Sequence, residues 1–365
     1  MNTLFTSLDW AVFAVYFAVI IYTGWYFSRT KVTTTKDYFL GGNSMPMWVV
    51  AVSVLATSQS AATFLGGPES SYRGNLTYLA TNIGGIIGAL FVAWVLIPRF
   101  YENKVSTVYE LLQVRFGDKT KRRAGSMYLI GRVFASGSRL YMAAIAVSMI
   151  LFTNIDPQSV IMSVIILVAV GLAYTYMGGI RSVIWSDLIQ LIVYVGAAIA
   201  VIIYLLGQIP ADMGQIVNAL QNPGGDQQSK LTLLDFRLDF GPAGTFSFWA
   251  CITGFVLLNI GAFGLDQDMT QRVLTCKDAK QGSRAMINSI IYSIPVVLVF
   301  MTIGLLLYIF YQRPELMGGG DKEVVQSFNG ENVTIFMYYV LNEMPAGLRG
   351  LVTVGVVAAA SRRMV

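Results

Sequence analysis

The chain has 365 residues, of which 55% are hydrophobic and 12% charged, with a formal net charge of +5. Soluble domains carry about 25% charged residues, so this composition excludes a disordered chain, argues against a soluble globular enzyme and fits a polytopic helical membrane protein. With no His in the sequence, imidazole bases, His metal ligands and His proton relays are excluded as well.

A bilayer core of about 30 Å takes roughly 20 apolar residues as helix. Runs of that kind predict spans at 8–28, 46–71, 77–98, 124–153, 158–177, 182–207, 248–273 and 285–311, with another starting near 347. Lipid offers backbone groups no partner, so such runs are helices. The alternating segments of about ten residues that mark an outer-membrane barrel are absent. The first run reads as a retained helix rather than a signal peptide, because no Lys or Arg precedes it and no small-residue cleavage site follows. Placing the N-terminus outside puts fifteen Lys and Arg in inside loops, among them Arg29, the basic run at 119–123, Arg181 and Arg272, against six in outside loops. That asymmetry follows the positive-inside rule and accounts for the basic residues without nucleic acid. The outside connections at 208–247 and 312–346 are long, polar and able to carry short helices. Cys251 and Cys276 stand far apart along one apolar segment, which argues against a disulfide.

Polar residues inside spans mark function by default, because lipid cannot satisfy them. Two spans are interrupted alike. Span 46–71 carries Ala56-Thr57-Ser58-Gln59-Ser60-Ala61-Ala62-Thr63, then Gly66-Gly67-Pro68. Span 248–273 carries Asn259, Gly261, Gly264, Asp266, Gln267, Asp268, Thr270 and Gln271. Each opens a block of helices, and paired broken segments in corresponding positions point to a transporter with inverted repeats. Unwound carbonyls and hydroxyls there can hold an alkali cation; the plainer reading of either span alone is close helix packing by small residues.

Arg132 and Arg139 are seven residues apart, hence on one helix face and about 10 Å apart along its axis. An Arg near the bilayer centre costs roughly 3 kcal/mol even on the lenient insertion scale. Its offsetting anion is either a buried acid or the carboxylate of a solute held bidentately. Asp187, about one turn into its span, reads as an acid complementing a helix N-terminus or as a cation ligand. Asn82 either binds a ligand or packs, and Phe263 is either a core aromatic or a gate. No Ser/His pair and no Gly-rich phosphate loop after a strand is present, so covalent catalysis is not expected.

The stretch YTYMGGIRSVIWSDLIQ at 174–190 resembles the signature of the sodium/solute symporters, a family of sodium-coupled sugar, proline, pantothenate and sialate transporters. Three further stretches agree: DYFLGGNSMPMW at 37–48, the polar run at 56–64 and DQDMTQR at 266–272. The resemblance implies an all-α membrane protein with two inverted five-helix repeats after one extra N-terminal helix. Residues 1–45 would hold that helix and an inside loop, 46–207 the first repeat, 208–247 an outside loop and 248–365 part of the second repeat. It further implies sodium as the coupling ion, with no other cofactor and no obligate protein partner. Sodium would be held by the carbonyls of Ala56 and Gln59, and Asp187 would serve a second sodium or its exit path. Ser58, Ser60, Thr63, Asn82 and Asn259 fall on substrate-facing positions, joined here by Gln267, and Phe263 falls where many members have an inner gate. The 56–64 run and the setting of Arg132 look like the sialate-transporting branch, in which hydroxyls and an Arg receive the sugar's carboxylate. Arg139 is a second Arg that this pattern does not require, so a different acidic sugar or a small carboxylate stays open as the solute, with a neutral sugar as the runner-up within the family.

The expected location is a bacterial inner membrane with the N-terminus outside. The family's paired hydroxyl ligands on the eighth core helix fall near Arg363 and Met364, which cannot serve, so the sequence reads as a second repeat cut short. A truncated member that does not transport, a membrane sensor and a channel are the competing readings. No signalling domain is present in the sequence given, and no continuous polar face favours a channel.

Overall fold

The structure, a computed structural model, describes residues 5–28, 34–175, 179–224, 228–319, 327–328 and 331–361. The centre of the sequence signature at 176–178 and the last four residues lie outside the described residues, as do Arg29 and Lys31.

Helix α1 (Ser7–Ser28) is followed by the short α2 (Thr35–Leu40), which Gly41 ends in the left-handed region at φ +57°. Pro46 then starts α3 (Met47–Ser58), which breaks into α4 (Ala61–Arg73). Helix α5 (Thr81–Phe91) runs through a π turn at Val92–Leu96 into α6 (Ile97–Glu102). A capping box of Thr107 and Glu110 opens α7 (Val108–Phe116). Gly117, at φ +83°, turns the chain directly into α8 (Asp118–Phe152), followed by α9 (Pro157–Thr175) and α10 (Gly179–Gln208). A second capping box, Asp212 with Gln215, opens α11 (Met213–Gln221). The next span comes in three pieces, α12 (Phe248–Ile252), α13 (Gly254–Gly264) and α14 (Gln267–Val273). Helix α15 (Ala279–Gln312) leads to a two-residue hairpin, β1 (Ser327–Phe328) with β2 (Glu331–Asn332), then α16 (Ile335–Asn342) and α17 (Leu348–Ser361).

Five helical runs are long and apolar enough to cross a membrane, and seven if each bent pair counts as one span; α9 and α17 contain shorter apolar helices. The nine expected spans thus appear as helices in order. Two boundaries differ from the sequence reading. The basic run at 119–123, expected in a loop, is helical: at about 1.5 Å per residue the 35-residue α8 overruns a bilayer, so its first turns can carry charge outside the lipid. Arg272, counted as an inside-loop residue, is a buried residue of α14, 3% exposed.

Helix α15 is the most buried long helix among the described residues and packs on α3, α4, α5 and α10. Small residues make the close approaches possible. A methyl at Gly304 of α15 would strike the Pro68 carbonyl and the Ser71 hydroxyl of α4, and Ser71 donates to the Met301 carbonyl at 2.7 Å. A methyl at Gly84 of α5 would strike the Cys251 carbonyl, and one at Gly88 would press on Asn259. At one end of the bundle, buried Asp9 accepts from Gly347 N and Gly350 N, both at 2.8 Å, which clips α1 to the start of α17. Beside the break after α3, Phe64, Tyr194, Phe300 and Phe336 tie α4 to α10, α15 and α16. A second, smaller core joins Val49, Val54, Phe263, Met269 and Met286 at the other end.

Gly84→Ala is therefore expected to lower the detergent-solubilised melting temperature, at an overpacking cost of about 1–3 kcal/mol. Gly125→Ala in α8, where a methyl meets nothing within 4 Å, should leave it unchanged or raise it slightly.

Candidate functional site

Both broken spans bend sharply, by 66° between α3 and α4 and by 62° between α13 and α14. At the first break Gln59 and Ser60 are extended, and the Ser60 hydroxyl caps α4 by accepting from Thr63 N at 3.4 Å. At the second, Asp266 is extended and caps α14 by accepting from Asp268 N at 2.9 Å. A helix end leaves its last carbonyls without intrahelical donors. At α3, the Leu55 carbonyl is taken by Gln59 N at 3.2 Å and by the Ser58 hydroxyl at 2.7 Å.

A cavity of about 290 Å³ lies between the two breaks. Ser58, Gln59 and Thr63 line it from α3 and α4, Asn82 from α5, Asn259 and Phe263 from α13, and Ser293 from α15. Its polar groups are held in place. The Ser293 hydroxyl donates to Asn82 Oδ1 at 2.7 Å while Asn82 Nδ2 donates to the Leu79 carbonyl at 2.9 Å. Asn259 Nδ2 donates to the Phe255 carbonyl at 2.7 Å. Gln59 is 5% exposed, and its Oε1 is a buried acceptor with no hydrogen-bond partner among the described residues. Such an atom costs free energy unless a donor or cation meets it. Neutral amide and hydroxyl oxygens suit a hard cation or the hydroxyls of a polyol. No Asp, Glu, Lys or Arg lines this cavity among the described residues.

The other predicted residues lie elsewhere. Asp187, 2% exposed, accepts from the Ser53 hydroxyl at 2.5 Å and from Arg272 Nε at 3.1 Å. Arg272 Nε also reaches Ser53 Oγ at 3.0 Å, and its Nη1 donates to the Asp268 carbonyl at 3.0 Å. This buried cluster locks α14 to α3 and α10. The spacing predicted an acid with a helix-dipole or cation role; the partner it has here is Arg272. The DQDMTQR stretch held that Arg in plain view, but the loop count had placed it in water.

Arg132 pairs with Asp266 at 3.4 Å and with Asp268, both partly exposed acids. With Gln267 it lines a separate cavity of about 440 Å³ between α8, α9 and α14. Arg139 lies within electrostatic reach of Arg132 and Asp266, with Nη1 buried and lacking a hydrogen-bond partner. Gln267 accepts from Val108 N and donates to the Ser106 carbonyl, both at 3.2 Å, so it ties α14 to the start of α7 rather than facing the central cavity. Beside it, Tyr109 packs on Tyr128 at 5.4 Å; burial and then the Asp266 carboxylate push its phenol up to about 12, so it remains a donor. Further contacts seal this end of the bundle. The Tyr101 hydroxyl donates to the Val273 and Cys276 carbonyls, Asn43 to Leu274 and Gln271 to Phe39. The predicted residues thus fall into two groups. Ser58, Gln59, Thr63, Asn82, Asn259 and Phe263 meet at the cavity; Ser60, whose hydroxyl lies 3.5 Å from that of Thr63, and the fully buried Ala56 of α3 are not among its lining residues. Asp187, Arg132, Arg139 and Gln267 belong to the closure around α14.

The sequence profile of the Sodium:solute symporter family (SSF) matches residues 38–361. The sodium/sialic acid symporter SiaT of Proteus mirabilis is 28% identical over 357 residues, covering 98% of this chain and 68% of the relative. The sodium/sialic acid symporter NanT of Aliivibrio fischeri is 28% identical over 367 residues, covering 97% and 66%. The mouse sodium-coupled monocarboxylate transporter 2 is 27% identical over 352 residues, covering 95% and 54%. A solved structure, described as the substrate-bound outward-open state of a Na+-coupled sialic acid symporter with a novel Na+ site, matches with a TM-score of 0.83 at 26% identity, covering 98% of this chain and 70% of that one. The chain therefore spans between half and about two thirds of the length of these relatives.

Removing one member of a buried ion pair leaves the other charge uncompensated, at about 3–5 kcal/mol. Asp187→Asn or Arg272→Met alone should lower the melting temperature sharply, and the double variant by less than the two losses combined. An unchanged melting temperature in Asp187→Asn would show that the pair does not hold this end closed.

Proposed function

The chain belongs to the Sodium:solute symporter family, and from that premise we propose that it carries an organic solute together with sodium across a membrane, by alternating access around the cavity at the two helix breaks. The observation that carries this reading is the meeting of both broken spans at one polar cavity with an unpartnered buried acceptor, Gln59 Oε1, on its wall. In this reading the main-chain carbonyls of Ala56 and Gln59, the Gln59 side-chain Oε1 and nearby hydroxyls hold sodium, and Ser58, Ser60, Thr63, Asn82 and Asn259 face the solute. Phe263, in both the cavity wall and the smaller core, is the floor that must move for release. With α14 bound to α2, α3, α7 and α10, the conformation is closed at that end, which is the inside one if the N-terminus is outside.

The order of elements supports an inverted-repeat reading. A broken span, a long helix and a short helix in the next connection occur as α3–α4, α5–α6, α7 and again as α12–α14, α15, α16. The first repeat then covers 46–207 and the second starts at 248. The protein is a multi-pass membrane protein, and the bacterial inner membrane with an outside N-terminus is its proposed setting.

The proposed solute is a carboxylated sugar such as sialic acid, by similarity to SiaT and NanT. An anionic solute would then exchange with Asp266 and Asp268 for Arg132, with Arg139 as the adjoining cation. The uncharged lining of the cavity favours a second reading, a neutral sugar held by amides and hydroxyls alone.

Sodium, bound by the folded state, should raise the melting temperature in proportion to ln(1 + [Na+]/Kd), and Gln59→Leu should flatten that response. In proteoliposomes of the full chain, sialate uptake should require sodium and fall more than about tenfold in Arg132→Ala, a loss of roughly 1.4 kcal/mol or more. Neutral-sugar uptake that survives Arg132→Ala would favour the second reading, and uptake indifferent to sodium would overturn both.

A further inference from the structure

The connection between α11 and α12 contains the sequence Leu233-Leu234-Asp235-Phe236-Arg237-Leu238-Asp239-Phe240, in which apolar residues occupy every second position from Leu234. The segment has no helix or strand, yet its first half is held. Just before it, Lys230 Nζ, buried, donates to the Tyr72 carbonyl at 2.8 Å and lies 4.4 Å from the Tyr308 ring centroid. Within it, the Asp235 carbonyl accepts from Phe248 N at 2.7 Å and the Phe236 carbonyl from the Trp249 indole at 3.1 Å. A tethered segment with buried anchors would ordinarily turn its apolar side chains inward. Here Phe236, Leu238 and Phe240 are 58%, 73% and 100% exposed.

The period-two alternation would put these three on one edge and the charges on the other along an extended run. Two acids and one Arg make up the charges of the segment. Arg237 pairs with Asp235 at 2.6 Å, which holds that carboxyl below its usual range, and Asp239 accepts from Gly241 N at 2.7 Å. The segment sits where α12 enters the bundle, and its apolar edge continues into exposed Trp249 and Leu257 on that span. Trp and amphipathic segments concentrate at the membrane–water boundary. A single row of three side chains is narrow for a stable dimer contact, which buries about 800 Å² per partner.

We propose that residues 233–240 form an interfacial strap, with Phe236, Leu238 and Phe240 inserted among the lipids of the leaflet where α12 begins and the charged edge facing water. The occupant of this surface is the bilayer itself. The strap anchors the start of α12, the entry of the second broken span, at the membrane surface. This rests on the membrane reading of the helices and not on the identity of the solute.

Single cysteines at 237, 238, 239 and 240, spin-labelled in phosphatidylcholine proteoliposomes, test it. Cys251 and Cys276 are both buried, and burial, then Asp278, pushes the Cys276 thiol up to about 12, so the introduced thiol is the one that labels. Labels at 238 and 240 should be more accessible to oxygen than to a water-soluble nickel chelate, and labels at 237 and 239 should show the reverse. Nickel access at all four positions, the mark of a water-borne loop, would overturn the proposal. So would exclusion of both quenchers at 238 and 240, the mark of protein covering the edge. In a second measurement, Phe240→Trp should gain quenching by brominated lipid, which Phe240→Trp combined with Leu238→Ser should weaken.

Discussion

A helix that breaks inside a bilayer strands backbone groups that lipid cannot satisfy, so a break is tolerated only where protein encloses it. This chain breaks two spans at the same level, and much of its packing serves to enclose them. Gly84 and Gly88 bring α5 against α13 at the second break, and Gly304 and Ser71 bring α15 against α4 at the first. The extended residues Gln59 and Ser60 sit between the large aromatic-rich core behind Phe64 and the smaller core around Val54 and Met269. Neither core could extend through the break level without closing the polar cavity, so the separation of cores and the presence of a site have the same cause.

Closure of one end rests on charge rather than on apolar packing alone. Arg132 and Arg272 both reach the segment 266–268, Arg132 through the Asp266 and Asp268 side chains and Arg272 through the Asp268 carbonyl. Buried ion pairs are weak sources of net stability but costly to leave half-made. In the proposed cycle such contacts would hold α14 while every charge has its partner and give way when a competing cation or anion replaces one. An apolar seal of similar size would offer no such exchange.

The nine spans were legible from apolar runs, and the breaks and six of the residues lining the cavity from breaches of a local rule, whereas Ser293 on α15 and Met269 on α14 were not foreseen there. Polar runs and glycines inside apolar spans leave a signature in one dimension, and Asn82 and Asn259 carry it too. The charged residues around α14 were not legible in the same way. Whether Arg132 meets a solute or Asp268 depends on a pairing 136 positions away in sequence, and spacing along one helix cannot report it. Arg272 was misplaced because hydropathy counts treat a basic residue near a span end as solvated, whereas the kink at Asp266 turns α14 inward and buries it. The same limit hid the helical start of α8, where a basic run can be helical once it extends past the lipid, and the extra interruption at Thr253 between α12 and α13.

The separation of the neutral cavity from the charged closure bears on how ion and solute could act on each other. Gln59 and Ser58 line the cavity at the end of α3, and Ser53, about one and a half turns earlier on the same helix, bonds to Asp187 and lies 3.0 Å from Arg272. A cation drawn to the oxygens at the end of α3 would therefore be felt, through one rigid helix, at the buried pair that locks α14. On the other side of the break, Met269 lines the cavity while Asp268, its neighbour in sequence, holds Arg132. A solute that shifts α14 by a fraction of a turn must change the Arg132 pairing. In the proposed cycle coupling would need no long relay: α3 and α14 each reach both the cavity and the charged cluster, so occupancy of the first would bear on the second.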